Sequence, residues 1–162
     1  MTFRRILHAT DFSPCSSAAL AVAGSLADAL HAELLVLHVS PLTAVVRSSG
    51  ISLVKADGAD ELAGRLRGLR PSAPGVAVTH RLEHGEPGVL IPRVAAEWGA
   101  DLIVMGTHGR TGLLDRMLLG SVAETIVREA GCSVLTVKDP TGPEPSGTTL
   151  RGRTAARAEV TG

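Results

Sequence analysis

Two stretches of this chain, ELLVLHV at residues 33–39 and LIVM at residues 102–105, are apolar almost without interruption. A strand with one wet face alternates polar and apolar side chains, whereas a strand covered on both faces does not. Chains built on such runs fold as a parallel sheet between helices, because a helical crossover returns the chain to begin the next parallel strand and covers a face on the way.

The other segments fit that scheme. Residues 3–9 form a first strand around Ile6 and Leu7. Ser13 is placed to cap a helix whose first position is Pro14, and Ala19, Leu20, Ala23, Leu26, Ala27 and Leu30 follow at helical spacing. Residues 41–56 read as irregular, loosest at Ser48, Ser49 and Gly50, and residues 57–69 resume as a charged amphipathic helix. Pro71, Pro74 and Gly75 break the chain before VAVTHRL, residues 76–82, whose alternation marks a third strand nearer an edge. A turn at residues 85–88 leads to a helix over 89–98 that stops at Gly99. After the strand at 102–105 come a helix over 121–130, stopped by Gly131, and a last strand at 132–137.

The order β-α-β-α-β-α-β-α-β predicts an open, mostly parallel five-stranded sheet with helices on both faces, a Rossmann-like α/β fold spanning residues 1–138. Residues 139–162 are rich in Pro, Gly, Thr, Ala and Arg and hold few large apolar side chains, so they are expected to form a disordered tail. Ligands of such sheets bind outside the carboxyl ends of the strands where strand order reverses, here after the first and fourth strands. Those turns hold Thr10 and Asp11, and Gly106, Gly109 and Gly112.

Three glycines at every third residue between a strand and a helix have the pattern of an anion cradle, although glycine-rich loops at this place also occur as plain turns. Backbone N–H groups without intervening side chains face an anion, and the helix dipole adds to the attraction. Ser121 and Glu124 have the S-x-x-E spacing of a capping box. A lysine P-loop is excluded, since the only lysines are Lys55 and Lys138, and the spacing of the glycines does not match the dinucleotide fingerprint.

Sixteen basic and sixteen acidic residues balance, so no global field draws the chain to nucleic acid or to a membrane. No segment is apolar for the length of a membrane span, and Cys15 and Cys132 lie far apart, the usage of a reducing cytoplasm. No His, Cys, Asp or Glu cluster has metal-ligand spacing, so no protein metal site is expected. His8 and His38 fall within strands and read as core histidines. With only Phe3, Phe12 and Trp98 as aromatics, a bound base would rest on aliphatic side chains.

ILHATDFSPCSSAAL, AELLVLHVSP and DLIVMGTHGRTGLLDRMLLGSVAETIV together resemble the universal stress protein family. The third segment is similar to the G-x2-G-x9-G-[ST] signature of the family's ATP-binding branch. The resemblance implies a stress-response module that binds ATP or another adenine nucleotide such as cyclic AMP, with magnesium or manganese held mainly by the phosphates. It implies that Asp11 faces the adenosine beside the backbone of Ala9 and Thr10, and that Val39 lies against the adenine. Gly106, Gly109, Gly120, Ser121 and Val122 would hold ribose and phosphates, His108, Arg110 and Thr111 would line the same loop, and Met105 would complete the nucleotide-binding set. It also implies a homodimer through the last strand, for which CSVLTV is suited. Two departures stand out: Ala9 takes a position often held by proline, and ten residues rather than nine separate Gly109 from Gly120. The loop lacks a lysine, and Asp115 is the carboxylate nearest in sequence, so slow ATP hydrolysis is the most catalysis the pattern suggests. A dimeric interaction protein with impaired nucleotide binding is the alternative.

Overall fold

The computed structural model describes residues 3–47, 50–55, 58–107 and 120–138. Its elements in chain order are β1 (Arg5–Thr10), α1 (Pro14–Leu30), β2 (Glu33–Ser40), β3 (Leu42–Arg47), β4 (Gly50–Lys55), α2 (Ala59–Gly68), β5 (Val78–His84), α3 (Pro87–Trp98), β6 (Leu102–Gly106), α4 (Ser121–Glu129) and β7 (Ser133–Val137). The main sheet has the order β5-β2-β1-β6-β7, and every pairing in it is parallel. The expected open α/β sheet is therefore present. Its first strand is its middle one, and strand order reverses between β1 and β6, the two turns singled out above.

The pleat sorts the core into two layers. Leu7, Ala9, Leu35, Leu37, Val39, Ile103 and Met105 pack against Leu90, Ile91, Val94 and Ala95 of α3 and Ala123 and Ile126 of α4. Ile6, Leu34, Val36, Leu102 and Val104 pack against Ala19, Leu20, Ala23 and Ala27 of α1 and Leu66 of α2. Successive strand residues face opposite sides, so strands covered on both faces must be apolar at nearly every position, which is what the runs at 33–39 and 102–105 show.

Local signals set the element ends. Ser13 caps α1, accepting the Ser16 N–H at 3.1 Å, with Pro14 at the first turn as expected. Gly99, in the left-handed region at φ 70°, ends α3. At the opposite edge the Asp101 carboxylate accepts the N–H groups of Arg4 and Arg5 at 2.8 and 2.9 Å, tying the start of β1 to the start of β6. Those two bonds hold its carboxyl below the usual range.

Two expectations need correction. Residues 42–55 are not irregular: β3 and β4 pair antiparallel from Leu42 with Lys55 to Arg47 with Gly50. The two serines between the strands in sequence are not the Asn-Gly or Asp-Gly pair that announces a tight hairpin, so residue type gave no signal of the pairing. The third strand of the main sheet runs from Val78 to His84 rather than over 76–82, and α3 already begins at Pro87. Proline at the first turn of a helix is favourable, so Pro87 opens α3 rather than belonging to the turn before it.

His8 lies in the middle of β1 with no exposed surface, and its Nδ1 donates to the Val104 carbonyl at 3.1 Å. That bond fixes the tautomer, and Nε2 is left buried without a partner among the described residues. Burial pushes its pKa down to about 4, against smaller opposing effects of the Val104 carbonyl and Asp11. Because the folded value lies below the unfolded one, the unfolded chain takes up the proton first as the solution is acidified. Stability is intact above about pH 6.5 and falls as pH drops towards 4, by on the order of 3 kcal/mol. Chemical denaturation of the unmodified chain and of a His8→Leu variant, compared at pH 4.5 and pH 7.5, should show the smaller loss in the variant. Equal losses would mean that His8 is not the group responsible.

Candidate functional site at the carboxyl edge of the sheet

At the carboxyl edge the layer beneath α3 and α4 reaches the surface as three apolar side chains, Ala9, Val39 and Met105. Each retains only 6–7% exposure, while Leu7, Leu37 and Ile103 beneath them have none. Ala9 pairs with Met105 across the β1–β6 boundary, so two of the three sit at the reversal of strand order. These residues make an aliphatic shelf at the end of the strands.

Thr10 faces the other layer. Its Oγ1 lies 3.0 Å from Ser16 Oγ and accepts the Phe12 N–H at 3.1 Å, and its carbonyl accepts from His38 Nδ1 at 2.7 Å. Asp11 Oδ1 accepts the Ser13 N–H at 3.0 Å, the turn-capping role open to an aspartate here. Between them Phe12 adopts φ 62°, a left-handed conformation that costs a residue with a side chain on the order of 1 kcal/mol or more. Its ring packs on His38 with centroids 4.5 Å apart, and the Arg65 guanidinium lies 4.3 Å above it. Nothing in the sequence marked Phe12, because neither glycine nor asparagine occupies that position.

Beyond β6 the chain is pinned at Thr107. Its N–H donates to the Val137 carbonyl at 2.9 Å, extending the β6–β7 ladder by one step, and its carbonyl accepts the Gly120 N–H at 2.8 Å. The two ends of the glycine segment are thus joined at a closed neck. His108, Gly109 and Arg110 lie outside the described residues, as do Thr111, Gly112 and Asp115. Gly106, Gly120, Ser121 and Val122 are brought together at the neck. Thr107 was not singled out from sequence, since one more threonine after a strand carries no signal of its own.

The capping box at Ser121 is not formed. Gly120 is the cap, with φ −60° and ψ 150°, and it has no side chain to donate or accept. Its carbonyl takes the first helical bond, from Glu124 N–H at 2.9 Å, so Ser121 is the first helical residue and Glu124 stands one position too far along. The backbone won because Gly120 is already held by Thr107. The first-turn N–H groups of Ser121, Val122 and Ala123 precede that first bond and face out of the helix end. Ser121 is exposed, and Val122 packs partly against the layer that carries the shelf.

Gly106 has a packing role of its own. A methyl group there would lie 2.8 Å from Cys15 Sγ and 3.2 Å from the Cys15 main-chain carbon. Cys15 is buried, and its thiol donates to the Val137 carbonyl at 3.2 Å. The N-terminus of α1 is thereby seated against the ends of β6 and β7. Both cysteines are free thiols. Clefts of about 190 Å³ beside Asp28 and Glu33 and about 370 Å³ beside Arg70 and Pro74 lie near the starts of β2 and β5, away from this edge. Among the described residues no group of three His, Cys, Asp or Glu side chains could hold a metal ion. Among them also, no helix is long and apolar enough to cross a membrane.

A sheet of order 3-2-1-4-5 is the doubly wound α/β arrangement, in which ligands bind outside the carboxyl ends of the strands where the order reverses. The model of the universal stress protein family matches residues 2–138, and the chain belongs to that family. It is 36% identical over 143 residues to a universal stress protein of Methanocaldococcus jannaschii, covering 85% of this chain and 84% of the relative. A universal stress protein of Bacillus subtilis is 35% identical over 148 residues, covering 84% and 99%. Among solved structures, a universal stress protein in complex with cyclic AMP superposes with a TM-score of 0.65 at 26% identity, covering 86% of this chain and 99% of that one.

Gly106→Ala should lower stability by about 1–3 kcal/mol, the usual cost of overpacking. In a Cys15→Ala background, where the sulfur is gone, the same change should cost less in a thermal-denaturation cycle. An equal cost in both backgrounds would show that the thiol is not what excludes a side chain at position 106.

Proposed function

We propose that this chain is a nucleotide-responsive stress protein that binds an adenine nucleotide at the carboxyl edge of its sheet. The observation that carries the reading is the neck. Thr107 holds Gly120 at 2.8 Å, so the first turn of α4 stays beside β6 whatever the number of residues between them. The additional residue between Gly109 and Gly120 then need not displace Ser121 and Val122, whose N–H groups would receive phosphate oxygens. Ala9, Val39 and Met105 offer the base an apolar surface, and Asp11 is the carboxylate beside it for the ribose. His108, Gly109 and Arg110 belong to the same proposed site by resemblance. The cyclic AMP complex of a neighbour 26% identical supports an adenine ligand. ATP, with magnesium or manganese held mainly by its phosphates, is the ligand that the glycine signature favours.

The proposed unit is residues 1–138, working in the cytoplasm as a regulatory homodimer rather than as a fast hydrolase. The sheet edges support pairing through β7. On β5, Arg81 bonds Glu83 at 2.7 Å and Glu97 at 3.1 Å, charges that discourage pairing at that edge. On β7, Ser133–Val137 holds no charge, and Leu135 is 37% exposed. A second reading, an interaction protein without nucleotide, draws on Gly106, whose missing side chain is already accounted for by Cys15.

Calorimetric titration with ATP-Mg, ADP and cyclic AMP separates the two. Binding in the micromolar range that Gly109→Glu abolishes is expected; no heat with any of the three leaves the interaction protein. In the ultracentrifuge the chain should sediment as a dimer, and a monomer mass at micromolar concentration would remove that part of the proposal.

A further inference from the structure

P-loops bring a lysine to the phosphates from within the loop itself, and this glycine segment contains none. The fold brings one from elsewhere. Gly106 pairs with Val137 at the end of the β6–β7 ladder, and the Thr107 N–H continues that ladder onto the Val137 carbonyl. Lys138 is the next residue, so its backbone passes beside Thr107 at about the strand spacing of 4.8 Å, and Thr107 in turn holds Gly120. Three chain segments lie side by side at the neck, and the outer one carries a cation.

Alternation sets the side of the sheet. Val134 packs in the layer under α3 and α4, and Val137 in the layer under α1 and α2. The position after Val137 therefore falls on the α3/α4 side, the side of Met105, Val122 and the N-terminus of α4. Lys138 is exposed and takes no part in the ion pairs among the described residues, which join Arg81, Arg93 and Arg128 to glutamates. Arg65 lies over Phe12, which packs against the layer on the opposite side.

We propose that Lys138 is a phosphate-pairing cation of this site, reaching across Thr107 to the oxygens of a nucleotide seated at Gly106, Gly120 and Ser121. The assignment rests on the nucleotide reading above and deepens it. A lysine ammonium acts on phosphate as a point charge, so its contribution grows with the charge of the phosphate chain. Lys138 therefore favours a polyphosphate over a cyclic monophosphate, which carries a single negative charge.

The test is calorimetry of the unmodified chain, Lys138→Ala and Lys138→Arg with ATP and with cyclic AMP, at low and high salt. Lys138→Ala should weaken ATP about tenfold and cyclic AMP less than about threefold, Lys138→Arg should recover most of the loss, and the difference should shrink as salt rises. The exposed position makes misfolding an unsuitable explanation for such a split. ATP affinity within about twofold in Lys138→Ala, or equal losses for both ligands, overturns the assignment and leaves the site reading intact. If the unmodified chain binds neither nucleotide, or cyclic AMP alone, the reading of a phosphate chain at the neck fails, and Lys138 with it.

Discussion

The parallel pairing of β1 with β2 on one side and β6 on the other is the constraint on which the rest depends. Making the first strand the central one forces the chain to leave β1 in one direction and return to its other side later. The order therefore reverses at β1, and the carboxyl ends of β1 and β6 open beside each other. The register of Ala9 with Met105 and the pleat then put both side chains under α3 and α4, at the end of a layer that also holds Val39. An apolar shelf at the mouth of the crevice follows from core packing alone, since the last turn of a buried layer is the part that meets solvent.

The edge itself is fastened by few groups, each used more than once. The Val137 carbonyl receives both the Thr107 N–H and the Cys15 thiol, so β7, β6 and the start of α1 meet at one acceptor. Thr107 passes the constraint on to Gly120 and hence to α4. On the other side of β1, Thr10, Ser13 and Ser16 satisfy one another at the head of α1, and Phe12 is held in its left-handed conformation between His38 and Arg65. His8 is the cost of the arrangement: a polar ring in the central strand, satisfied at one nitrogen only.

Much of this is legible in the sequence because burial on both faces leaves a plain pattern. ELLVLHV and LIVM announce parallel strands, Ser13-Pro14 and Gly99 announce helix ends, and each lies where the pattern puts it. The hairpin at Leu42–Arg47 and Gly50–Lys55 was not legible, because two serines do not mark a tight turn. The start of α4 at Ser121 was legible but its cap was not, since a local S-x-x-E match could not reveal that Gly120 was already bonded to Thr107, thirteen positions earlier. Contacts made by main-chain atoms of distant residues leave no trace in residue type. For the same reason the sequence pointed to Gly106 but not to Cys15 beneath it, and treated Lys138 as the end of the folded unit rather than a neighbour of the neck.

The central claim is that a nucleotide sits across the reversal between β1 and β6, on the shelf and against the first turn of α4. Backbone amide chemical shifts of the labelled chain, followed during titration with ATP-Mg, test it most directly. The account predicts saturable shifts concentrated at Ala9 to Asp11, Val39, Met105 to Thr107 and Gly120 to Val122, with the starts of β2 and β5 unmoved. Shifts confined to the clefts beside Asp28 or Arg70, or none at saturating nucleotide, would contradict it.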